Sequence, residues 1–100
     1  MRPSKEMIDK LSRALVDEGK LVEAGWISLQ YTCISPNAPE LQLKEMRMAF
    51  FAGAQHLFSS IMSILEPDDE PTEADLKRMD LINKELENFL TEFKKLHNIP

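Results

Sequence analysis

The chain has 100 residues, of which 43% are hydrophobic, and its formal net charge is −5. This length and composition are those of one ordinary folded domain, and they exclude a disordered chain. Few glycines and only two valines, with abundant Leu, Met, Glu and Lys, favour helix over strand, so we predict an all-α fold. The single cysteine, Cys33, excludes an intrachain disulfide and favours a reducing, cytoplasmic setting.

The first predicted helix runs from about residue 4 to 18. Ser4 is a candidate N-cap, and apolar residues from Met7 to Leu15 recur at helical spacing. Gly19 is the only break before a second predicted helix at about 20–33. The sequence is therefore compatible either with two separate helices or with one long helix kinked at Gly19.

The second predicted helix carries Trp26 and Cys33 on one apolar stripe, so Cys33 is interpreted as a small buried hydrophobic residue. Gly25 lies in the interior of this helix, where glycine costs about 1 kcal/mol relative to alanine. We expect the close approach of a neighbouring backbone to compensate for that cost. Pro36 and Pro39 then predict a loop at 35–39.

The third predicted helix, about 39–65, contains a run from Met48 to Leu65 without a charged side chain. Its apolar sector covers about half of the circumference, which suits a helix packed between helices two and four. The opposite side is called here the uncharged face of helix three. It consists of Met48, Ala49, Ala52, Gln55, His56, Ser59, Ser60 and Ser63.

The uncharged face has small or weakly polar side chains, which let a neighbouring helix come close without burying a full charge. It is interpreted either as a solvated surface or as a surface for self-association or for a partner. A membrane span is disfavoured because the run barely reaches spanning length and carries a polar stripe.

Residues 66–75 carry six acids and no base, so this segment accounts for the whole charge imbalance. It is interpreted as a solvated turn or as a contact for a basic partner through Asp68, Asp69 and Glu70. A calcium loop is disfavoured because the segment lacks a central glycine and contains two prolines. The rest of the chain is nearly neutral, so a nucleic-acid partner is not expected.

The fourth predicted helix, about 73–97, has the clearest start signal in the chain. Thr72 and Asp75 form a capping-box variant with Asp in place of Glu or Gln. The helix has one apolar and one charged side, which predicts an amphipathic helix with one side in water.

No residue pattern predicts catalysis, a metal site or a cofactor. His56 lacks ligand-type neighbours one turn away, no acid is placed to orient a Ser59–His56 pair, and His97 is interpreted as solvated. Cys33 has no basic cluster that would activate its thiol. We therefore expect that the protein is not an enzyme.

The run EMRMAFFAGAQHLFSSIMSILEPDDEPTEADLKRMDLINKEL, residues 45–86, resembles a family of small uncharacterised helical proteins of bacteriophages and prophages. The resemblance covers somewhat under half of the chain. It implies a short phage-encoded helical protein that acts in the host cytoplasm, and it brings no catalytic or binding residues with it.

These observations together predict a single-domain helical bundle of three to four helices over residues 1–100, with helix three central. The expected function is a non-enzymatic protein–protein interaction or accessory protein. We expect a homo-oligomer, a dimer first, formed through the uncharged face, with a host or phage protein as a further partner. The alternative is a small DNA-associated transcriptional regulator.

Overall fold

The computed structural model describes residues 3–65 and 70–100. These residues form four α-helices, α1 (Lys5–Asp17), α2 (Leu21–Cys33), α3 (Glu40–Ile64) and α4 (Glu73–Leu96), and they contain no strand. The all-α prediction is confirmed, and each helix end lies within one residue of its predicted position. The contacts divide the chain into two units, residues 1–57 and residues 58–100. A single-domain organisation stays a prediction.

The first unit begins with α1, whose two ends are fixed by local hydrogen bonds. The Ser4 hydroxyl oxygen accepts from the Met7 N–H at 3.2 Å, which confirms the predicted N-cap. At the other end Gly19 has φ +83°, a conformation that favours glycine. The Gly19 N–H donates to Val16 and the Lys20 N–H to Leu15, which is the Schellman pattern. The structure therefore has two separate helices, and the single kinked helix is excluded.

The buried apolar residues of the described chain all come from α1, α2 and the residue after α2: Ile8, Ala24, Trp26 and Ile34. The Trp26 ring also contacts Phe50 on α3, with the two ring centroids 6.0 Å apart. A Cβ added at Gly25 would lie 3.2 Å from the Phe50 ring. The neighbour that approaches Gly25 is therefore an aromatic side chain. The expectation that a neighbouring backbone comes close to Gly25 is wrong.

The loop between α2 and α3 closes through a hydrogen bond from the Ala38 N–H to the Ser35 carbonyl at 3.1 Å. The Pro39 carbonyl then accepts from the Leu43 N–H, which is the first hydrogen bond of α3. Proline suits this junction because its missing N–H would have no helical partner there. The predicted loop at 35–39 is confirmed.

In the second unit, the start of α4 has the predicted capping box. The Thr72 hydroxyl oxygen accepts from the Asp75 N–H at 3.1 Å, and the Asp75 carboxylate accepts from the Thr72 N–H at 3.1 Å. Asp75 is buried, and the Arg78 guanidinium lies 3.4 Å from its carboxylate. Arg78 also donates to the carbonyl of Ile64, the last residue of α3. One guanidinium thus joins the end of α3 to the start of α4.

The end of α4 repeats the arrangement at the end of α1. Asn98 has φ +54°, and the Ile99 N–H donates to the Lys94 carbonyl at 2.8 Å. Asparagine is the residue after glycine that most often takes this left-handed position.

Candidate interaction surfaces

The uncharged face of α3 lies at the surface. Seven of its eight residues are exposed, Ser60 is half-buried, and Met48 is 71% exposed. The Ser63 hydroxyl donates to the Ser59 carbonyl at 3.0 Å, so this hydroxyl of the uncharged face is already hydrogen-bonded within its own helix. The described contacts do not distinguish a solvated surface from one that binds a partner.

The opposite, apolar side of α3 is incompletely covered. Leu43, Phe50, Ala54 and Ile61 are half-buried, whereas Leu57 and Ile64 are just exposed and Phe58 is 62% exposed. No residue of α3 is fully buried in the structure. The helix expected to form the centre of the fold therefore keeps apolar surface available for a further contact.

In the first unit, an open groove of about 680 Å³ lies against α1, α2 and the first half of α3. Its walls are mostly apolar and include Leu11, Leu15 and Ile27, with Arg47 and Phe51 contributed by α3. The Arg47 guanidinium lies 2.6 Å from the Glu23 carboxylate and 4.3 Å from the centre of the Phe51 ring. Because Arg47 is neutralised by this ion pair, the groove offers no free cation through Arg47 for an anionic ligand.

The three acidic candidates and the nearby Asp75 differ in their surroundings. Asp68 and Asp69 lie outside the described residues, and Glu70 is exposed. Asp75 belongs to the same acidic stretch of sequence but is buried in the capping box. Sequence reasoning identified that box correctly and gave no sign that the carboxylate would be 3% exposed and would lie beside Arg78.

The candidate reactive residues are dispersed. Cys33 is half-buried, and its burial raises the pKa of the thiol above the ordinary value, which lowers its nucleophilicity at neutral pH. His56 is exposed on α3, and His97 lies against Phe93 at the end of α4, with ring centroids 4.5 Å apart. Among the described residues no group of three or more His, Cys, Asp or Glu side chains is placed to hold a metal ion.

The apolar side of α4 was predicted from the sequence, but its exposure was not. Its central residues, called here the α4 seam, are Met79, Ile82, Leu86, Phe89, Phe93 and Leu96. Only Ile82 and Phe93 are half-buried, and the exposed fractions of Phe89 and Leu96 are 58% and 79%. We had expected this side to pack on helix three. In the structure it presents a row of large apolar side chains to solvent.

None of the helices in the described ranges combines the length and the hydropathy that a bilayer crossing requires. Comparisons of the chain with protein-family models, with curated proteins and with solved structures give no match.

Proposed function

We propose that this chain is a non-enzymatic interaction protein that works as a homo-oligomer, with a dimer as its smallest form. One observation carries the proposal. In the described residues, eighteen large apolar side chains are exposed, whereas four apolar residues are buried. Contiguous apolar surface on a folded protein marks a site where another molecule binds. The exposed apolar side chains therefore support a protein whose folded form is completed by association.

Two surfaces support two kinds of contact. The exposed side of α4 is strongly apolar, as are the interfaces of permanent homodimers. The uncharged face of α3 is small and weakly polar, which suits a second protein that binds less permanently. The sequence alone led us to expect the dimer contact on this uncharged face; we now propose the dimer contact on α4 and assign the uncharged face to an accessory role toward a host or phage protein. The phage context is based on the resemblance of residues 45–86 alone.

Light scattering on the purified chain at tens of micromolar tests the oligomer. We expect at least twice the mass of the 11.5 kDa chain. A monomer at that concentration contradicts the proposal, because the exposed apolar side chains are then not covered by a second copy of the chain.

The role of the uncharged face is tested by Ala52→Glu and Ser59→Glu, each of which adds one charge to it. We expect both variants to keep the oligomer and to lose proteins that the wild-type chain captures from a host lysate. Asn88→Glu adds the same charge at an exposed position of α4 and serves as the control, with both properties retained. Dissociation of the oligomer by Ala52→Glu and Ser59→Glu would instead make the uncharged face the self-association surface.

A further inference from the structure

The residues of the α4 seam follow a strict heptad repeat. From Met79 to Leu96 its six residues are separated alternately by three and four positions. This is the a and d pattern of helices that pair along their length. Leu76 and Leu90 occupy the adjacent e positions and widen the seam on one side. The pattern covers most of α4, which runs over 24 residues.

The exposed part of this surface is large enough for a specific contact. Six large apolar residues of the seam and its flank are each between 39% and 79% exposed: Leu76, Met79, Leu86, Phe89, Leu90 and Leu96. With about 150–200 Å² for each fully exposed large side chain, they present roughly 600 Å² per copy. Two copies would then bury roughly 1,200 Å², the lower bound of a standard specific interface.

We propose that the α4 seam pairs in antiparallel orientation with the α4 seam of a second copy of the chain. This inference depends on the proposed homo-oligomeric function and names the surface that forms it. A second copy fits because a two-fold axis makes one heptad seam complementary to itself, without any further partner.

The antiparallel orientation follows from the sizes of the seam residues. When the two helices are centred between residues 87 and 88, Leu86 meets Phe89 of the other copy, and Ile82 meets Phe93. Each phenyl ring then faces an aliphatic side chain, so the layers have similar volumes. A parallel pair would instead place Phe89 against Phe89 and Phe93 against Phe93, next to thinner layers of Ile82 and Leu86. Cores of uniform density are favoured over layers that are alternately crowded and empty.

The helix dipoles favour the same orientation. The first turn of α4 carries Glu73 and Asp75, and its last turn carries Lys94 and Lys95. In the antiparallel register Lys95 of one copy lies about 10 Å along the axis from Glu73 of the other, so their attraction is weak at physiological salt, and the opposed helix dipoles favour this orientation. One pair of like charges disfavours the antiparallel orientation, because Glu85 of one copy approaches Glu92 of the other. Both glutamates are exposed, so solvent screens this repulsion.

A lipid surface is the competing occupant for an apolar helix face, and the charged side of α4 argues against it. Helices that lie on anionic membranes are rich in Lys and Arg on the polar side. Residues 73–96 contain six acids and five bases, and the whole chain carries −5.

The surface is tested with Leu86→Glu and Phe89→Glu in the full chain, measured by sedimentation velocity. We expect both to give monomer at concentrations where the wild type is a dimer, with circular dichroism showing retained helix. Leu81→Glu is the matched control, because Leu81 is 55% exposed on the outer side of the same helix and should leave the dimer intact.

A wild-type monomer would overturn both this inference and the proposed oligomer. A wild-type dimer that resists Leu86→Glu and Phe89→Glu but dissociates with Ala52→Glu overturns the α4 pairing alone. A wild-type monomer that floats with vesicles of phosphatidylcholine and phosphatidylserine, and is released by Phe89→Glu, assigns the seam to lipid and also overturns it.

The orientation is tested with Glu85→Lys. In the antiparallel pair the new lysine meets Glu92 of the other copy twice per dimer, so we expect the dimer dissociation constant to fall severalfold at low salt. In a parallel pair position 85 faces Leu90, and no tightening is expected. Spin labels on Asn88→Cys or Lys95→Cys, each in a Cys33→Ser background, add a geometric readout. For antiparallel helices, the helical rise places position 88 of the two copies about 2 Å apart along the helix axis and position 95 of the two copies about 22 Å apart. Equal separations at the two positions would overturn the antiparallel assignment.

Discussion

Two glycines in helix interiors offer a paired test of the packing between α2 and α3. Gly53 lies in α3, and a Cβ added there would meet nothing within 4 Å beyond the adjoining backbone of its own helix, whereas a Cβ at Gly25 would lie 3.2 Å from Cζ and 3.7 Å from Cε1 of Phe50. Since carbon atoms in proteins pack at about 3.5–4.0 Å, the Phe50 ring must move by a few tenths of an ångström to admit alanine at position 25. The Phe50 ring is restrained by its contacts with Trp26 and Phe51.

The two alanine variants should therefore change the free energy of unfolding differently. Gly53→Ala should raise it, whereas Gly25→Ala should leave it unchanged or lower it. Gly53→Ala gains up to about 1 kcal/mol of unfolding free energy from helix propensity. Gly25→Ala has the same gain minus an overpacking cost of about 1–3 kcal/mol, so we expect a net change between about zero and a loss of 2 kcal/mol. Urea unfolding followed by the fluorescence of Trp26, the only tryptophan, measures both at one fixed protein concentration.

A second background separates the ring contact from any other cause. In a Phe50→Leu chain the obstructing ring is absent, and Gly25→Ala should then stabilise by nearly as much as Gly53→Ala. The reasoning is refuted if Gly25→Ala stabilises the wild-type chain as much as Gly53→Ala does, or if Phe50→Leu leaves the difference between the two variants unchanged.

Three further predictions concern single side chains. Thr72→Ala should lower the unfolding free energy by about 1 kcal/mol through loss of the N-cap. Thr91→Ala removes an exposed hydroxyl on the same helix and should change the unfolding free energy by about a few tenths of a kcal/mol. Equal effects of the two variants would contradict the capping role. Arg47→Ala should cost about 1 kcal/mol at low salt and less in 1 M NaCl, because its ion pair with Glu23 is partly exposed; a salt-independent loss would count against this. Cys33 should be alkylated with an apparent pKa above that of the urea-unfolded chain, because burial disfavours the thiolate; an equal or lower value would contradict the raised pKa.

The features predicted correctly from sequence are those set by neighbours along the chain. Ser4 and Thr72 cap helices through hydrogen bonds that span three residues, and Pro36 and Pro39 interrupt the helices through their own geometry. Such contacts depend on local sequence alone, so helix ends were predicted to within one residue.

The features that sequence did not predict depend on residues far apart in the chain. Nothing near Gly25 shows that the ring 25 positions later would be its neighbour, and nothing near Asp75 shows that its carboxylate would be buried. The apolar spacing of α4 identified which side chains share one face, but it could not say what would cover them. Amphipathic periodicity is the same for a helix that packs in its own chain and for one that packs against another copy.

The double role of Arg78 has a consequence for hydrogen exchange. Its guanidinium holds a terminal carbonyl of α3 and the buried carboxylate that caps α4, so the last turn of one helix and the first turn of the next share one side chain. Amide protons in those two turns should open together, with closely similar protection. Arg78→Ala would then release both turns at once, although it removes only one side chain. Residues 58–100 would thus have a cooperative opening unit at the junction of their two helical segments, away from the α4 seam.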